Sequence, residues 1–228
     1  MRENLTEIVF IIDRSGSMNG LESDTIGGFN SMIAKQQKEE GEAIISTVLF
    51  DDKTDVIHDR VPIRDVKNLT EEDYRVRGCT ALLDAVGGAI DHIGKIHKYA
   101  RKEDRPAKTL FVITTDGLEN ASRYYSFKDI KRMIERQKEK YSWEFLFLGA
   151  NIDAIKVAAN MGIGKDRAAN YNCDETGTAL NYQVLEKAVS CVRKCRSADM
   201  AETFEDGVWK EDIDTDYRKR GKNIFLRH

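Results

Sequence analysis

Glu7-Ile-Val-Phe-Ile-Ile12 runs without a break into Asp13-Arg-Ser15-Gly-Ser17. The apolar run is rich in β-branched residues and too short for a helix, so it reads as a strand buried on both faces and ended by Asp13. Strands of that kind belong to parallel sheets covered by helices on both sides. Thr109-Leu-Phe-Val-Ile-Thr-Thr115, stopped by Asp116-Gly117, is a second such strand, and Glu144 to Gly149 is another. Glu42 to Phe50 and Thr54 to Ile63, separated by Asp51-Asp52-Lys53, predict an antiparallel hairpin in which Pro62 suits an edge strand. A weak strand is expected near Arg167 to Tyr171.

Helices fill the intervals. Asp24 is the expected cap of one, with Ile26, Phe29 and Ile33 on its inner face. Leu82, Val86, Ala89, Ile93 and Ile96 carry a second through about Ala100, and Ser126-x-x-Asp129 is a capping box for a third, with Phe127, Ile130 and Ile134 inward. A short helix from about Asp153 to Met161 and a long one from Thr178 to about Arg196 complete the series. The alternation predicts an α/β fold, a doubly wound and mostly parallel sheet with helices on both faces.

The 228 residues amount to one large domain, or one domain with an appendage, at roughly 150 residues per domain. We read residues 1–198 as the domain and 199–228 as a charged C-terminal extension. Eight acidic residues (199, 202, 205, 206, 211, 212, 214, 216) stand against Lys210 between Asp199 and Asp216, and basic residues follow. The extension is expected to pack over the domain or to be partly mobile. With 41% hydrophobic and 33% charged residues the chain can build a core, which excludes a disordered protein. The 36 Lys and Arg nearly balance 39 Asp and Glu, which argues against a dedicated nucleic-acid or membrane-surface binder. Strand-sized apolar runs and a charged, polar start give neither a membrane-spanning helix nor an ordinary signal peptide. Four cysteines in a chain this long make no disulfide framework, so a reducing, cytoplasmic setting is expected.

In an open parallel sheet, ligands sit beyond the carboxyl ends of the strands where the strand order reverses. Asp13 and Asp116 each follow a buried strand directly, so both carboxylates meet at one edge if the two strands are neighbours. Ser15 and Ser17 lie two and four residues after Asp13, and Thr80 of Gly78-Cys79-Thr80 opens a helix at the same end. Two carboxylates and three hydroxyls form an all-oxygen set suited to Mg2+, Mn2+ or Ca2+ and not to zinc or copper. A dication with two aspartates is close to neutral, and five groups leave an octahedral position for an outside carboxylate.

These three segments, Asp13-Arg-Ser-Gly-Ser17, Gly78-Cys-Thr80 and Thr115-Asp116-Gly117, resemble the metal-ion-dependent adhesion site (MIDAS) of von Willebrand factor A (vWA) domains. The resemblance in layout covers roughly residues 5 to 198. It implies a six-stranded Rossmann-like sheet with a short antiparallel third strand. It also implies metal contact through the hydroxyls of Ser15, Ser17 and Thr80, and through Asp13 and Asp116 directly or by way of water. A protein partner would supply an Asp or Glu. Asp84, one turn after Thr80, either supports a ligand from behind or stabilises a helix N-terminus. Glu119 and Asn120 border the site as possible partner contacts.

Other chemistries find less support. A haloacid-dehalogenase-type phosphatase needs an acid where Ser15 stands, and a tyrosine-phosphatase reading of Cys79 needs an arginine where Ala85 stands. His58, His92, His97 and His228 share no placement with a nucleophile. Cys191 and Cys195 continue the apolar series Leu180, Val184, Ala188 and read as core thiols. Asp212-x-Asp214-x-Asp216 lacks the later residues of a calcium loop, with Tyr217 and Asn223 where Gly and Glu are required, and its carboxylates are expected in solvent.

The expectation is therefore a non-catalytic, metal-dependent protein-binding module. By resemblance it is of the bacterial intracellular TerY-like type, working beside an AAA+ ATPase or a kinase and phosphatase stress module. A metal-dependent hydrolase on the same residues and a ribonucleoprotein component using Arg218-Lys-Arg220 are the alternatives. The resemblance further implies that the last helix, reached through Asp174-Glu-Thr-Gly177, slides to switch affinity. An acidic side chain of 199–216 could also occupy the metal of a second copy.

Overall fold

The computed structural model describes residues 1–221, so Lys222 and Arg227 of the basic end, Asn223 and His228 lie outside the described residues. Six strands form one sheet: β1 (Arg2–Asp13), β2 (Glu42–Phe50), β3 (Thr54–Pro62), β4 (Pro106–Thr115), β5 (Glu144–Gly149) and β6 (Ala168–Asn170), in the order β3-β2-β1-β4-β5-β6. Only β3 runs antiparallel. It lies at the edge, where Pro62 withdraws no ladder donor from an inner strand.

One face of the sheet takes Ile8, Phe10, Ile12, Leu110, Val112, Leu146 and Leu148 into a core closed by α1 (Glu22–Gln36) and α5 (Glu175–Lys194). The alternate residues Val9, Ile11, Phe111, Ile113, Phe145 and Phe147 face a second core under α2 (Leu82–Tyr99), α3 (Phe127–Tyr141) and α4 (Ala154–Asn160). This two-sided burial is what the uninterrupted apolar runs required, because both sets of alternating side chains leave water. The extension also packs: Met200, Phe204 and Ile213 are buried in the α1/α5 core, and α6 (Glu211–Gly221) lies against α5.

Several local expectations change. Helix α1 begins two residues before Asp24, behind Leu21, and Glu22 accepts from the Gly20 N–H, so Asp24 is an interior first-turn acid and no cap. Helix α5 starts at Glu175 with Asp174 as its cap, its carboxylate accepting from the Gly177 N–H at 2.8 Å. The presumed loop 174–177 is therefore its first turn. Cys191 is exposed and so is no core thiol, whereas Cys195 is half-buried and packs against the α1/α5 core; Val189 and Val192 take the fully inward positions. The Ser126 and Asp129 capping box forms as read.

Candidate metal centre

The strand order reverses between β1 and β4, which are direct neighbours with Ile12 opposite Thr114. That pairing brings Asp13, the last residue of β1, beside Asp116, the residue after β4. Both are almost completely buried. The chain turns sharply after Asp13, whose Oδ1 accepts from the Ser15 N–H at 2.7 Å. Ser15 Oγ then lies 3.0 Å from Ser17 Oγ and accepts from Thr80 Oγ1 at 3.0 Å. Asp13, Ser15, Ser17, Thr80 and Asp116 thus meet at one edge of the sheet.

Glycines set how closely these segments approach. A Cβ on Gly117 would stand 2.8 Å from Thr80 Oγ1 and 3.2 Å from Ser17 Oγ, so this backbone presses against both hydroxyls. Gly16 N–H donates to the Gly78 carbonyl, and Gly78 itself has φ +68°, a left-handed conformation that favours glycine. Thr80 is pinned from the far side: its N–H donates to Asn120 Oδ1 at 2.9 Å, and Asn120 N–H donates to its carbonyl at 3.1 Å.

Asp84 and Glu119 occupy other posts. Asp84 accepts from the N–H groups of Arg123, Tyr124 and Tyr125, and Glu119 accepts from those of Leu83, Ala121 and Ser122. Both lock the 117–126 loop to the start of α2. Arg14, between Asp13 and Ser15 in the first segment, is buried against Asp51 at 2.8 Å and also pairs with Asp55.

Three contributors escaped the sequence reading. Thr115 Oγ1 donates to Asp13 Oδ2 at 2.5 Å, Tyr74 O–H donates to the Asp13 carbonyl, and Cys173 Sγ donates to Asp116 Oδ2 at 3.0 Å. Thr115 carried a signal, since it stands beside Asp116 at a strand end. Tyr74 lies in a polar loop and Cys173 more than fifty residues further along, so nothing local marks them.

Burial pushes the Asp13 carboxyl above its ordinary range; hydrogen bonds from Thr115 and Ser15 oppose this, and the Asp116 charge adds to it. Burial, with the Asp116 carboxylate beside it, pushes the Cys173 thiol up to about 12, so it is a neutral donor at physiological pH. Asp116 Oδ1 is buried and has no hydrogen-bond partner among the described residues. An orphaned carboxylate oxygen beside a second buried carboxylate and three hydroxyls is costly unless positive charge joins it, so the residues fit a hard divalent cation. Among the described residues no three His, Cys, Asp or Glu side chains are placed to hold a metal, so a cation here depends on hydroxyl oxygens.

No family model matches the sequence, and no curated protein matches it. Solved structures do. The chain is similar to the vWF domain of the type V pili tip protein Mfa5 from Porphyromonas gingivalis at 10% identity, with a TM-score of 0.61 over 86% of this chain and 98% of that one. It is similar to a von Willebrand factor type A protein from Catenulispora acidiphila (14% identity, TM-score 0.52, 83% of this chain, 43% of that one). It is also similar to proximal thread matrix protein 1 from the mussel byssus with a zinc-occupied MIDAS motif (14% identity, TM-score 0.56, 82% of this chain, 46% of that one). The chain spans under half the length of the mussel and Catenulispora proteins. At these identities the likeness is one of fold: the chain has the Rossmann-like α/β fold of von Willebrand factor A domains.

Proposed function

We propose that this chain is a non-catalytic protein-binding module that holds a divalent cation, Mg2+ by preference over Mn2+ or Ca2+, on Asp13, Ser15, Ser17, Thr80 and Asp116. It recognises an Asp or Glu of a protein partner through that cation. The observation that carries the reading is the buried, unpartnered Asp116 Oδ1 beside Asp13 and the three hydroxyls. Five protein oxygens fall short of the six of an octahedral shell, which leaves room for one from outside. When bound, the cation supplies the charge that offsets the two aspartates and attracts that carboxylate.

Support for a binding role over hydrolysis comes from the rim. The Asp13 oxygens are occupied by Ser15 and Thr115, and those of Asp84 and Glu119 by backbone N–H groups, so none is a ready general base. His92 and His97 are engaged by Asp59 and Glu7 on other elements. Nor does the basic end favour RNA, since Arg220 is committed to Asp174 and Asp216.

Four unpaired thiols support a cytoplasmic setting. The reading extends to a TerY-like bacterial system with an AAA+ ATPase or a kinase and phosphatase module as partner. Self-association is a variant of it, with exposed Glu202, Glu205, Asp206 or Glu211 of a second copy as the incoming carboxylate. Calorimetric titration of Mg2+ and Mn2+ into chelator-treated protein tests the core of the proposal. One equivalent bound by the wild type and none by Asp13→Ala is expected; binding unchanged in the variant overturns it.

A further inference from the structure

Asp116 is held from behind by an element that the three metal-site segments do not include. Cys173 lies between β6 and α5, and its Sγ donates to Asp116 Oδ2 at 3.0 Å, leaving Oδ1 as the oxygen without a partner. The residues on either side of Cys173 are in turn clamped by the C-terminal helix. Asn172 Nδ2 donates to Asp216 Oδ2 at 2.9 Å, and Arg220 bridges the Asp174 carboxylate to that of Asp216, reaching the latter through two nitrogens. Gly177 completes the strap, because a Cβ there would stand 1.9 Å from the Asn172 carbonyl oxygen. The polar contacts of α6 thus hold the residues on both sides of Cys173, whose thiol reaches the buried carboxylate.

We propose that Cys173 is a positioning residue for the cation site, fixing Asp116 by its Oδ2 so that Oδ1 faces the metal, and that α6 holds Cys173 in place through Asp216 and Arg220. This rests on the metal reading above and gives the C-terminal extension a part in setting affinity. A bare carboxylate swings about its last side-chain bond between several orientations; one hydrogen bond to the outer oxygen selects the rotamer that presents the other. A thiol is a weak donor, so the effect belongs at the lower end of that known for groups behind metal ligands, about tenfold in affinity.

The test is calorimetric titration of Mn2+ into the full chain, with the melting temperature of the metal-free protein measured alongside. Cys173→Ala is expected to weaken Mn2+ binding about tenfold while the metal-free protein melts close to wild type. Cys173→Ser, which restores a donor, is expected to recover most of the loss. Asp216→Asn combined with Arg220→Ala should weaken binding in the wild type and add little in the Cys173→Ala background, because both changes act through one contact. Unchanged affinity in Cys173→Ala overturns the inference while leaving the metal site standing. Equal losses in the Ala and Ser variants overturn it too, by making the residue a matter of packing. A wild type that takes no Mn2+ overturns the metal reading itself, and this inference with it.

Discussion

Asp13 and Asp116 are charge neighbours at the sheet edge, and among the described residues no basic side chain hydrogen-bonds either carboxylate; Arg14, next in the chain, is spent on Asp51 and Asp55. Adding Mg2+ should therefore raise the melting temperature of the wild type, by the equivalent of about 2.7 kcal/mol at a hundredfold excess over the dissociation constant. A chelator should reverse the rise, and scanning fluorimetry with and without the ion would show it. A shift that persists in Asp13→Ala would place the ion elsewhere. Gly117 is the other sensitive residue. Gly117→Ala forces a methyl group against Thr80 Oγ1 and Ser17 Oγ, so it should weaken cation binding and cost about 1–3 kcal/mol of stability in urea denaturation. Binding equal to wild type would show that the two hydroxyls can retreat without consequence.

At the scale of elements, α5 is fastened at both ends. Lys108, buried in β4, donates to the carbonyls of Val192, Arg193 and Cys195 at the helix C-terminus, at 2.7 to 2.8 Å. Lys108→Met should strip this donor from all three carbonyls, leaving Val192 only the weak Cys195 thiol, and destabilise the fold by about 2–4 kcal/mol in urea denaturation; a loss under half a kcal/mol would show that water reaches them. The sliding last helix implied by the family resemblance would have to break this clamp, together with the Arg193 contacts to the carbonyls of Gln36, Glu39, Glu40 and Gly41. The α6 clamp has a pH signature. Arg220 holds the Asp216 carboxyl below the usual carboxylate range, so its contribution is complete above the unfolded value near 4. It is lost as pH falls through the depressed folded value. Asp216→Asn should melt below wild type at pH 7, by about 1 kcal/mol for a half-buried pair near the surface, and the gap should close towards pH 3. A gap that does not depend on pH would remove the ion pair from the account.

For the whole molecule, the extension behaves as part of the core. Met200, Phe204 and Ile213 are each almost fully buried, and at about 1.5–3 kcal/mol per side chain their loss rivals the net stability of a typical domain. A chain ending at residue 198 should lose its cooperative melting transition, as read by circular dichroism. Retained cooperativity would show that α1, α5 and the sheet suffice. The consequence for experiment is that tail effects on self-association are better read from substitutions at Glu205 or Asp206, both exposed, than from deletion.

The sequence by itself determined the sheet, its two covered faces and the five oxygen-bearing residues at one of its edges. Those features are local. Strand burial is written in uninterrupted apolar runs such as Ile8 to Ile12, a buried strand must end where the polarity changes, and Asp13 and Asp116 stand at those changes. Helix ends were less legible, because a helix can open without any side-chain cap or on an acid other than the expected one: α1 starts behind Leu21, ahead of Asp24, and Asp174 opened α5 a turn early. Only the tertiary structure decided what stands behind the site. Tyr74 and Cys173 reach it across 61 and 57 residues of chain, and the α6 clamp reaches Asn172 across a further 44. A hydrogen bond between side chains so far apart leaves no periodicity or spacing in the sequence, because it exists only once the sheet order and the helix packing have brought its two ends together.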